Sequence, residues 1–161
     1  MNQKIFNQYN QPGNLVVISN YPPPGEGIHT AKIGLATFAK NSLIPLAELY
    51  ARDSRKIIII ADVVNKPTIY EENGMLILRA WKRNSPSLFA DILKTILKFD
   101  RISDILIEFE FASYGDFLIA SFFPFLVLSL RLLGKRTTLV LHQVPNNLES
   151  LHGHLGLSLK S

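Results

Sequence analysis

Residues Pro22-Pro23-Pro24-Gly25-Glu26-Gly27 follow an apolar run, Leu15 to Ile18, and precede a helical pattern. A strand, a glycine turn and a helix start bring backbone N–H groups close to a phosphate or sugar, because glycine has no Cβ and the helix dipole favours negative charge. Two more polar groups, Glu110 and His142, each close an apolar run that reads as a strand. In a parallel sheet such groups share one edge, where ligands of open α/β folds bind. Taken alone, a Gly-x-Gly turn is simply a chain reversal, and a lone histidine at a strand end is simply hydrogen-bonded to backbone.

Other chemistries fit less well. A dinucleotide fingerprint needs a third glycine where Thr30 stands, and Asp62 lies beyond the spacing of a ribose-binding acid, which counts against a nucleotide-dependent oxidoreductase. No Gly-Lys-Ser/Thr follows the glycines, so a P-loop is absent. Glu108 and Glu110 lie on one strand face, whereas glycosidase carboxylates oppose each other across a substrate, so an exposed strand end is the plainer reading. His152 and His154 have no third ligand nearby, and a mobile loop accounts for them better than a metal site.

The elements that must position these residues alternate. Leu15–Ser19 is apolar throughout, as in a strand covered on both faces, and the run within 56–63 with four consecutive isoleucines is a central strand. Met75–Trp81, 104–109 and 137–141 supply three further strands, the first of them following the Asn73-Gly74 turn. Helical patterns run from Ile28 past Pro45, from the Ser85-Pro86 start through Leu97, and from Phe117 to Leu133 between Asp116 and Gly134. Pro45 either kinks one helix or opens a second capped by Ser42. Alternation of this kind predicts an α/β fold with a parallel sheet and helices on both faces.

The chain has 161 residues, of which 47% are hydrophobic and 19% charged, enough for one domain with a buried core. It contains no cysteine, which excludes disulfides and thiolate chemistry and suits a cytoplasmic protein. The net charge of +4 is spread over scattered basic pairs, giving little ground for a nucleic-acid partner. Residues 1–13, polar and rich in Asn and Gln, read as a flexible lead-in without signal-peptide character, leaving 14–161 as the domain. The 117–133 segment is shorter than the ~20 residues of a membrane span and holds Pro124 and Arg131, so it is expected to pack on the sheet.

Together, 20–27, the segment ILIEFEFASYG at 105–115 and FLVLSLRLLGKRTTLVLHQV at 125–144 resemble the amino-terminal domain of glycosyltransferase family 4 enzymes. The likeness runs from about Leu15 to Val144. It implies a Rossmann-like domain forming the acceptor side of a GT-B fold, with a nucleotide sugar as donor substrate and no other cofactor. By position, Gly25 and Gly27 would match the turn near the donor phosphates, His142 the histidine of the cleft, and Glu110 and Tyr114 acceptor-side residues. Helix-start N–H groups would stabilise the departing phosphate and an imidazole would orient a sugar hydroxyl. The family implies retention of anomeric configuration, and a glycan, lipid-linked or small-molecule acceptor.

The second, nucleotide-sugar domain lies outside these residues. The expectation is therefore a polypeptide inactive alone: a truncated gene, a fragment, or half of a split enzyme that pairs with a separately encoded donor domain. An exposed sheet edge and an uncovered interface would accompany it. Peripheral contact with the inner face of a membrane, aided by Lys135 and Arg136, fits acceptors carried by lipids. The alternative from another class is a non-catalytic α/β binding or scaffold domain.

Overall fold

In the computed structural model, which describes residues 3–24 and 34–142, apolar runs become strands whose alternate side chains enter two cores. In chain order the elements are α1 (Gln3–Tyr9), β1 (Leu15–Ile18), α2 (Gly34–Arg52), β2 (Ile57–Asp62), β3 (Thr68–Glu72) and β4 (Met75–Trp81). They continue as α3 (Leu88–Ile96), β5 (Asp104–Phe109), α4 (Phe111–Tyr114), α5 (Phe117–Ala120), α6 (Phe123–Leu132) and β6 (Arg136–Leu141). The sheet order is β3-β4-β2-β1-β5-β6, with every pairing parallel except β3 with β4. This is the expected α/β architecture of Rossmann-like type.

Leu15 and Val17 of β1 join Ile57 and Ile59 of β2 beneath Ala39, Leu43 and Ala47 of α2. Val16, Ile18, Ile58 and Ile60 point the other way, against Ile92 and Ile96 of α3 and Leu126 and Leu130 of α6. Burial on both faces explains why these strands are continuously apolar instead of alternating. The chain builds β1, β2 and β4 in one direction, then returns to lay β5 and β6 on the other side of β1. That reversal opens a crevice beyond the carboxyl ends of β1 and β5.

Several local expectations are corrected. Residues 3–9 form a helix rather than a flexible lead-in: Tyr9 is 1% exposed and Phe6 packs its ring 5.3 Å from that of Phe99. The polar composition there serves the backbone, with Asn14 donating to Tyr9 O at 2.7 Å and accepting from Lys56 N at 2.7 Å. β3 is an additional strand, joined to β4 by Asn73 and Gly74, both at positive φ (50° and 73°) as a two-residue type I′ turn requires. Pro45 lies inside a single helix, and Ser42 Oγ bonds back to Phe38 O instead of capping a second one. The segment expected as one helix over 117–133 divides into α5 and α6, because Pro124 has no N–H to continue the ladder. α3 begins at Leu88, two residues after the expected proline start.

Candidate functional site at the carboxyl edge of the sheet

The carboxyl ends of β1, β5 and β6 are neighbours, so the sheet brings Ser19, Asn20, Glu108, Glu110 and His142 to one edge. Ile18 pairs with Ile107, which puts Ser19 opposite Glu108, and Ser19 Oγ donates to Glu108 Oε2 at 2.7 Å. Glu108 is 2% exposed, and burial pushes its carboxyl above the usual range, an effect the Ser19 hydrogen bond partly offsets. Asn20 is equally buried, and its Oδ1 has no hydrogen-bond partner among the described residues. Buried polar atoms are normally satisfied, so an orphaned amide oxygen at a strand end is suited to a ligand's donor.

Phe109 pairs with Leu141, and His142 N continues the ladder by donating to Phe109 O at 3.0 Å. Its ring meets Phe38 of α2 edge-on, with centroids 4.5 Å apart, while Nε2 is buried without a hydrogen-bond partner among the described residues. Glu110 stands at the start of α4, half-buried, and its Oε2 accepts from Ser113 Oγ at 3.0 Å. Glu110 and His142 therefore end adjacent strands.

Tyr114 belongs to the interior. It is fully buried, stacks on Trp81 with centroids 5.3 Å apart, and donates to Glu108 O at 2.9 Å. Desolvation raises its phenol far above the ordinary value. Its contribution to the edge is thus to hold the backbone of β5 from behind, with no surface for an acceptor. Gly25 and Gly27 lie outside the described residues, as do His152 and His154. Among the described residues no group of three or more His, Asp or Glu side chains could hold a metal ion.

The stem of the glycine turn is described, and a buried guanidinium holds it. Arg79 of β4 is 4% exposed; its Nη2 donates to Tyr21 O at 2.9 Å, to Tyr70 OH at 3.0 Å and to Pro22 O. Its Nη1 donates to Asp62 O at 2.9 Å, and Asp62 Oδ1 accepts from Tyr21 N at 3.3 Å. A planar fork of donors can gather the ends of β1, β2 and β3 in this way, which a point-charge ammonium cannot do. Beside it opens a cleft of about 540 Å³ walled by Pro23, Pro24, Val64, Ile69, Tyr70 and Arg79. Ser19, Asn20 and Arg79 are residues that sequence reasoning did not single out as site components, and Glu108 was weighed only as half of a glycosidase carboxylate pair. A lone Arg within the apolar run of β4 was the only signal for Arg79, and the Ser19–Glu108 pair depends on strand register.

The chain matches no protein-family model, no curated protein and no solved structure.

Proposed function

We propose that the chain is the acceptor-side domain of a glycosyltransferase, moving a sugar from a nucleotide sugar to an acceptor hydroxyl together with a donor-binding domain. The observation that supports this reading is the set of polar atoms left over at the carboxyl edge: Asn20 Oδ1 and His142 Nε2, without partners among the described residues, on the same edge as the buried Glu108 carboxyl. Sugars carry hydroxyl groups that both donate and accept, so one ligand of this class satisfies an amide oxygen and an imidazole nitrogen at once. In the transfer the acceptor oxygen bonds to the anomeric carbon, the bond from that carbon to the phosphate oxygen breaks, and the acceptor's proton passes to the departing phosphate oxygen. Asn20 and His142 orient the acceptor, and the role of Gly25 and Gly27 toward the departing phosphate rests on the family resemblance alone.

The test measures nucleoside diphosphate release from a panel of nucleotide sugars by the chain alone and by the chain mixed with a nucleotide-sugar-binding domain supplied separately. Release that requires both partners, and whose kcat/KM falls on the order of 100-fold in His142→Ala, is the expected result. Release unaffected by His142→Ala and Asn20→Ala removes this edge from the reaction. Absence of release with every sugar favours the scaffold reading, for which the observation is the exposed outer face of α6 and the position of β6 at the edge of the sheet among the described residues.

A further inference from the structure

The outer face of α6 carries apolar side chains that the fold does not use. Phe122, Phe125, Leu128 and Leu132, spaced three and four residues apart, are 50%, 63%, 53% and 79% exposed, while Phe123, Leu126 and Leu130 fill the core on the opposite side. Leu118 of α5 is 69% exposed, and Leu97, just after the neighbouring α3, is 52% exposed. A contiguous ridge of this size on a convex helix surface marks an interaction site.

Charge indicates what meets it. α3 and α6 pack on the same side of the sheet, and Lys135 ties their ends together: its Nζ donates to Phe99 O, Asp100 O and Ile102 O, the last at 2.6 Å. The same helical layer exposes Lys94 of α3, Lys98 and Arg101 just after it, and Arg131 of α6, none in an ion pair among the described residues. The acids of this layer are fewer than its cations: Asp104 is paired with Arg136, while Asp91 and Asp100, hydrogen-bonded by the neutral Ser87 and Asn10, keep their charge. Lys135 and Arg136, expected from sequence to make the contact, are thus occupied within the fold, and the four unpaired cations replace them.

We propose that the α3–α6 face docks on an anionic lipid surface, the apolar ridge entering the headgroup boundary and the four cations meeting lipid phosphates. A protein groove would have to match a convex ridge and a set of unpaired cations together, whereas an anionic bilayer supplies both environments at one boundary. No helix among the described residues is long and apolar enough to cross a membrane, so the contact is interfacial. The proposal does not depend on the sugar-transfer reading.

Vesicle flotation tests it with the full chain and two lipid compositions, neutral phosphatidylcholine and a mixture containing phosphatidylglycerol. Binding to the anionic vesicles is expected, falling at least about tenfold in the double variant Phe125→Ser/Leu132→Ser, because each of these side chains leaves an apolar environment. Lys98→Glu/Arg131→Glu is expected to remove the preference for anionic lipid and the salt sensitivity. These four side chains are exposed, and unchanged circular dichroism of the variants establishes that they fold. Failure of the folded wild type to float with anionic vesicles overturns the proposal, as does flotation that both variants retain. A dimer that Phe125→Ser/Leu132→Ser dissociates, without vesicle binding, also overturns it and assigns the ridge to a second copy of the chain.

Discussion

Glu108 shows how one residue's environment sets its chemistry. Its neighbours Ile107 and Phe109 face one core, so Glu108 must face the other, where Ser19 donates to its carboxylate. With its folded value raised above the ordinary 4.5, the group binds its proton more tightly in the native state than in the unfolded chain. Its contribution to stability is therefore full below the ordinary value and is lost as pH rises through the folded one. Glu108→Gln has no charge to desolvate and keeps an oxygen for Ser19. Thermal unfolding should show the variant gaining on the wild type as pH rises from about 4 to about 7. A stability difference that stays flat across that range would mean that the carboxyl titrates normally. The identity of Glu108 was plain in the sequence, but its burial was not, because two glutamates in a row of alternating positions equally describe a solvated strand end. Only the Ile18–Ile107 register reveals that a serine waits opposite.

At the scale of elements, the glycine between α4 and α5 shows a packing constraint. A Cβ at Gly115 would lie 3.0 Å from Asn84 Oδ1, 3.1 Å from Ile119 Cβ and 3.2 Å from Asn84 Cα. Asn84 cannot easily yield, because its side chain accepts from Asp116 N at 3.0 Å and donates to Asp116 Oδ2 at 2.8 Å. Gly115→Ala should cost about 2 kcal/mol in chemical denaturation, with an unchanged denaturant slope. A neutral substitution would show that the loop from Trp81 to α3 moves away freely. Strands were the legible elements, since four consecutive isoleucines leave little alternative to a central strand. Helix ends were less so. The division of 117–133 follows from Pro124, which was visible, combined with a turn at Ser121 and Phe122 whose backbone bonds reach Phe117 and Ile119. β3 escaped notice because Thr68–Glu72 has no apolar inner face: Ile69 is 47% exposed, Glu72 on the half-buried face pairs with Lys40, and the strand gains its identity from pairing with β4.

For the whole molecule, α1 closes the end of the sheet opposite the candidate site. Tyr9 is buried, Asn10 donates to Asp100 at 2.8 Å and accepts from Arg101 N at 3.1 Å, and Asn14 ties the start of β1 to Lys56. Deleting residues 1–13 should destabilise the domain by on the order of 3 kcal/mol, read by denaturant titration, through lost aromatic burial and orphaned hydrogen bonds. An unaffected stability would restore the view of this stretch as a mere lead-in. At the other side of the sheet β6 is the edge strand among the described residues, with Leu139 and Leu141 42% and 51% exposed. The sequence by itself determined the fold class, since strands covered on both faces must be apolar throughout and helices must alternate with them to supply the cover. Only the tertiary structure decided which polar groups share the site. Adjacency of β1, β5 and β6 depends on the order in which strands pair, and that order arises from long-range packing which no local pattern of residues encodes.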